Sequence, residues 1–189
     1  VKLPASLETL GENGFAGCTA LTSFTIGEGN ARFTVENGAL YEDVCLVKYV
    51  GKETSFTLPA GKTAVGAYAF EGNATLTALD LSAAVTGIAR GAFRGMNALT
   101  TLTLPAALLE GGTLAAFFGA PAAETEGSFS HYIPATLATL TLDGGLSAIA
   151  GYAFYGATGL ESVTGISQVT SIGDGAFAYT SVEAFALPA

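Results

Sequence analysis

The chain has no tryptophan, one histidine, one methionine and two cysteines in 189 residues. It is also poor in charge, at 12%, and half of its residues are hydrophobic. Disorder needs the opposite balance, so a packed core is expected. No apolar run reaches the roughly 18 residues of a membrane-spanning helix. Basic residues are few and confined to one part: Lys2, Arg32, Lys48, Lys52, Lys62, Arg90 and Arg94 are all there are, and none lies beyond residue 94. With a net charge of −9 the surface repels phosphate backbones, which argues against nucleic acid as a partner. The acidic residues are read as keeping an apolar chain soluble.

Cys18 and Cys45 do not make a disulfide framework. Both lie in apolar patterns, and buried free thiols are the expectation. The lone His131 stands in a Ser-rich stretch with no other metal-ligating residue at suitable spacing. Ser128 and Ser130 beside it do not form a triad, which is defined by geometry and a third group. Gly61-Lys62-Thr63 resembles the end of a phosphate loop, but Phe56 stands where the first glycine belongs, and a turn after Pro59 is expected. Glu42-Asp43 lacks the spaced acidic series of a calcium loop and is read as solvating a hairpin connection. Asn73-Ala74-Thr75 is a glycosylation sequon, meaningful only in a eukaryotic secretory route. No catalytic residue, metal site or cofactor is therefore expected. The start at Val1, without an initiator Met or a signal segment, is read as that of an excised or processed piece of a longer protein.

What the chain does have is repetition. An apolar residue, four residues, Phe, five residues, then Leu or Val recur. The copies are Leu10-Phe15-Leu21, Val65-Phe70-Leu76, Ile88-Phe93-Leu99, Ile149-Phe154-Leu160 and, one residue shorter, Ile172-Phe177-Val182. A degenerate copy surrounds Phe117. Phe70 to Phe93 and Phe154 to Phe177 are both steps of 23 residues. Each copy leads into a short alternating segment, at 21–26, 76–81, 99–104, 137–142, 160–165 and 182–187. Alternate side chains of a strand face opposite sides. Phe24, Leu79, Leu102 and Leu140 then face a core, and Ser23, Thr25, Asp80, Thr101, Thr103, Thr139, Thr141, Ser162 and Thr164 face outward. Six residues bury too little alone, so the strands are expected to stack into one parallel sheet, with each Phe on the opposite wall in a turn or short helix.

Two segments break the period. Residues 31–58 contain Asn37-Gly38 between alternating apolar runs, the mark of an inserted β-hairpin or three-stranded meander. Residues 119–132 are small, polar and Pro-containing, and read as an irregular surface loop. The expected architecture is one leucine-rich-repeat-like solenoid over 1–189: short parallel strands, turns or short helices opposite, and an inserted hairpin.

The phrases LPASLETLGENGFAGCTALTSFTI, LSAAVTGIARGAFRGMNALTTLTL and NARFTVENGALYEDVCLVKYVGKETSFTLP resemble the BspA-type leucine-rich repeats of bacterial surface proteins. So does GTLAAFFGA…HYIPATLATLTL. Asn13-Gly14 before Phe15, and Gly87-Ile88-Ala89-Arg90, depart from the usual pattern and touch turn details. The resemblance implies a secreted or cell-surface location and a role in adhesion, and brings no catalytic residues.

A protein-binding or adhesion scaffold without catalysis is the leading reading, gripping an unknown protein or glycan on another surface. The alternative is a rigid spacer, or an accessory region of a larger surface protein or enzyme. Function concentrates on loops that a rigid scaffold displays. Candidate contacts are therefore Arg32, Tyr41, Lys48, Tyr49 and Lys52 in the hairpin and Glu124, Glu126, His131 and Tyr132 in the loop. Tyr41 and Tyr49 are also natural hairpin core. Tyr155 and Tyr179 are the other aromatic anchors a partner would use.

Overall fold

A computed structural model describes residues 1–81, 84–121 and 132–183. Its spine is a five-stranded parallel sheet in the order β6 (Ser55–Thr57), β8 (Ala78–Asp80), β10 (Thr101–Pro105), β11 (Thr139–Asp143) and β13 (Ser162–Thr164). One register runs across it. Phe56, Leu79, Leu102, Leu140 and Val163 align and are all buried. Stacking buries what one short strand cannot, as the alternation implied.

The repeat Phe residues lie across this core. Phe70, Phe93 and Phe154 are fully buried, and their rings touch their neighbours: Phe70 to Phe93 at 6.1 Å, Phe93 to Phe117 at 6.0 Å, Phe154 to Phe177 at 5.1 Å between centroids. Truncating such a ring costs about 3–5 kcal/mol. At the two ends Phe15 and Phe177 are half-buried.

The opposite wall is more regular than a row of turns. In four of the copies the opening apolar residue lies in a strand of its own; Leu10 of the first copy does not. β7 (Ala64–Val65) and β9 (Gly87–Ile88) pair in parallel, as do β12 (Ala148–Ile149) and β14 (Ser171–Ile172). Among the described residues helix is limited to the 3-10 turn Ala106–Leu109 and to α1 (Leu114–Phe117).

The insertion is a three-stranded meander, β3 (Phe33–Glu36), β4 (Ala39–Glu42) and β5 (Cys45–Tyr49). Asn37 and Gly38 make its first turn at φ 50° and 76°, both left-handed, which matches the twist of the flanking strands. β5 then pairs in parallel with β7, so the meander extends the opposite wall.

Three expectations need correction. Residues 55–57 are not part of the insertion but the first strand of the spine. The segment 21–26 does not join that sheet: β2 (Thr25–Ile26) pairs only with β1 (Lys2–Leu3). Cys18 is exposed rather than buried, and Cys45 is half-buried; both are free. The segment 182–187 lies largely outside the described residues, and no strand is formed at 182–183.

The N-terminal repeat consequently shares a small core with the meander. Leu3, Phe24, Phe33 and Leu40 are buried there, against Phe15, Val47 and others, apart from the main cluster. Asn30 fastens it to the meander. Its amide donates to the carbonyls of Pro4, Ala5 and Leu7 at 3.2, 3.2 and 2.9 Å, and its Oδ1 accepts from the amides of Arg32 and Phe33, both at 2.9 Å.

Candidate functional site

The sheet presents two outward rows: Ser55, Ala78, Thr101, Thr139, Ser162, and Thr57, Asp80, Thr103, Thr141, Thr164. Strand stacking spaces each row at about 4.8 Å. Thr101 and Thr164 are exposed; Asp80, Thr103, Thr139, Thr141 and Ser162 are half-buried. Hydroxyls are also spent on holding the rungs together. Thr77 and Thr100 each donate to a carbonyl 23 residues back, at 3.1 and 2.9 Å, and Thr164 meets Thr141 at 3.2 Å. Ser23 and Thr25 are exposed but belong to the separate N-terminal ladder.

The hairpin candidates divide. Arg32 is exposed and holds Glu42 at 3.2 Å and Asp43 at 2.9 Å, so these acids serve the hairpin connection. Lys52 is exposed. Tyr41, Tyr49 and Lys48 are buried, and Lys48 is only 2% exposed. Tyr41 packs in the main core, with the Lys62 ammonium 4.6 Å from its ring centroid, and burial pushes its phenol above the usual range. Lys62 follows a turn closed by its amide on the Pro59 carbonyl at 3.1 Å, and its ammonium reaches the Asp43 carbonyl at 2.6 Å. In the loop, Tyr132 is half-buried, while Glu124, Glu126 and His131 lie outside the described residues. Tyr155 is buried and Tyr179 is 69% exposed, with ring centroids 5.2 Å apart. The sequon is put to structural use: Asn73 Oδ1 accepts from the amides of Thr75 at 3.0 Å and Leu76 at 2.8 Å.

Sequence reasoning missed a half-open cavity of about 490 Å³ between the N-terminal repeat and the opposite wall. Leu10, Phe15, Val47, Val65 and Ile88 supply its apolar lining, and Lys48 also lines it. The Lys48 ammonium donates to the Tyr68 carbonyl at 3.0 Å. Burial pushes its pKa below the usual lysine range, while the Glu71 carboxylate pulls the other way. The one signal in the sequence is a lysine inside the apolar run LVKYV.

Among the described residues no group of three or more His, Cys, Asp or Glu is arranged to hold a metal, and no helix is long and apolar enough to cross a membrane.

A parallel sheet whose rungs recur at 23 residues, with one longer step from Leu102 to Leu140, Phe residues stacked across the core and a meander added to the opposite wall define a leucine-rich-repeat solenoid. The chain belongs to the BspA-type leucine-rich repeat family, whose model matches residues 1–106 and 125–189 in six copies. Nothing among curated proteins matches it significantly. Solved structures share its fold. A leucine-rich repeat protein from Eubacterium ventriosum is 19% identical at TM-score 0.65, covering 98% of this chain and 59% of that one. The pneumococcal vaccine antigen PcpA is 24% identical at 0.67, covering 92% and 42%. A leucine-rich cell surface protein from Faecalibacterium prausnitzii is 24% identical at 0.66, covering 100% and 47%. The chain thus spans between two-fifths and three-fifths of the length of these relatives.

Proposed function

We propose that the chain is a non-catalytic binding module of a bacterial surface protein, serving adhesion to a protein or glycan on another surface. The observation that carries this reading is the long register. A solenoid contacts only its neighbours and so lays out an extended face, here two rows of small polar side chains. Membership in the BspA-type family and a relative described as a cell surface protein support an extracellular position. Single contacts on such a face are weak, but a repetitive ligand gains avidity across successive rungs.

The irregular segments are the stronger contact region in this reading. Arg32 and Lys52 are its exposed cations, and residues 119–132 add Tyr132, Glu124, Glu126 and His131. The buried Tyr41, Lys48 and Tyr49 shape the meander from within. The test uses glycan and host-protein arrays, then three variants on any ligand found: deletion of 121–130, Arg32→Ala with Lys52→Ala, and Thr101→Arg with Thr103→Arg. Loss of binding in either of the first two and retention in the third is expected. The reverse pattern places the contact on the sheet. A rigid spacer without a ligand gives no binding on any array.

A further inference from the structure

Lys48 is a buried cation with too few partners. Its ammonium has three donors and one hydrogen bond, to the Tyr68 carbonyl. No carboxylate oxygen of the described residues lies within 4.0 Å of it. The nearby Glu71 is engaged elsewhere, accepting from the Gly17 amide at 2.6 Å and facing Arg94 at 3.8 Å. A buried charge is costly unless paired in direct contact, and Glu71 acts on this one only from beyond salt-bridge distance. The same residue lines a cavity whose surface is otherwise mainly apolar.

We infer that this cavity takes an aliphatic monocarboxylate, a medium-chain fatty acid, with its head on Lys48 and its chain between the two cores. Charge and shape both favour that ligand. The carboxylate fills the open donors of the ammonium with charge-assisted hydrogen bonds. The chain lies against Leu10, Phe15 and Val47 on one side and Val65 and Ile88 on the other, residues of the small and the main core respectively. A volume of about 490 Å³ falls within the roughly 300–1,000 Å³ of small-molecule sites. Two acids also line the cavity. Glu42 is held by Arg32, and Glu12 is exposed. They disfavour a carboxylate in their own neighbourhood and so direct the head toward Lys48. The site is separate from the sheet face and the loops proposed for surface binding.

Calorimetric titration of the whole chain with decanoate, decanol and decylamine tests this. Decanoate is expected to bind one to one, with the alcohol and the amine at least about tenfold weaker, because they forgo the charge-assisted hydrogen bonds. Lys48→Met should bring decanoate down to the level of decanol. Ala89→Trp, with Lys48 intact, should weaken all three by occupying part of the cavity, and it decides the matter if the Lys48 variant fails to fold. No binding of decanoate at millimolar concentration, equal binding of decanol, or unchanged decanoate binding in either folded variant overturns the assignment.

Discussion

Gly91 lies beneath the ring of Tyr68: a Cβ on Gly91 would stand 3.2 Å from Tyr68 Cε1. Three copies further on, a Cβ on Gly175 would stand 2.7 Å from Tyr152 Cε1. All four residues sit two places before a repeat Phe, and all are left-handed, at φ 57°, 73°, 60° and 61° for Tyr68, Gly91, Tyr152 and Gly175. Asn13 holds the same place at 64°. The turn demands this backbone in each of these copies, and the glycine that follows each tyrosine leaves room for its ring. Gly175→Ala adds a methyl group to a position that resists both its conformation and its volume. A loss of about 1–3 kcal/mol is expected in urea unfolding. An unchanged midpoint would show that the ring does not constrain its neighbour.

Asn30 offers a sharper substitution. Its amide faces three carbonyls and its oxygen two backbone amides, so only an amide side chain satisfies both sides. Asn30→Asp keeps the acceptor and turns a carboxylate toward the carbonyls of Pro4, Ala5 and Leu7. A cost of about 2–3 kcal/mol, felt first as loss of amide-exchange protection in residues 1–26, is expected. Uniform loss of protection along the whole chain would mean that the N-terminal repeat does not open separately.

Lys48 bears on stability with a definite sign. Its folded-state pKa is depressed, so between that value and the ordinary 10.5 the unfolded chain binds more protons than the folded one. Stability relative to Lys48→Met should therefore rise with pH across that window, and be lowest below it, where the lysine is charged in both states. The variant is the right reference because the phenols of Tyr41 and Tyr49, raised by burial, act oppositely at alkaline pH in both proteins. At neutral pH Lys48→Met is expected to match or exceed the wild type in Tm. A fall of several degrees would show that the bond to the Tyr68 carbonyl outweighs the cost of the buried charge.

The two thiols should separate in rate. Cys18 is exposed; Cys45 is half-buried, and burial, then Glu42, raise its pKa and suppress its thiolate. Timed iodoacetamide alkylation followed by peptide mapping should show Cys18 labelled well before Cys45. Equal rates would contradict the placement of one or the other.

The spine was legible because its signal is redundant. Leu79, Leu102 and Leu140 each announce an inward position by alternation, and Phe70, Phe93 and Phe154 by spacing. Strand β6 was hidden because residues 31–58 read as one insertion, yet Phe56 stands 23 residues before Leu79, and that interval carried the information. The detachment of β2 left no such trace. It depends on where the meander docks, and β5 joins β7 through backbone hydrogen bonds that side-chain patterns do not specify. The site was less legible still. Tyr41 and Tyr49 read equally well as anchors or as core, and the structure places them in the core. Lys48 in LVKYV looked like a surface cation because strand alternation alone does not reveal that a neighbouring repeat closes over it.

The break between β2 and the spine has a mechanical meaning. A sheet pulled along its stacking direction transmits load from rung to rung through hydrogen bonds. The spine does so from β6 to β13 without interruption. At the N-terminal end the spine sheet does not continue, and tension passes instead through the loop at Asn30, the meander and the bond from the Gly17 amide to Glu71. A chain anchored at one end and held by a partner at the other would therefore yield there first. The N-terminal repeat would peel off as a unit while the five-rung sheet stayed intact, a mechanical fuse at one end of the solenoid.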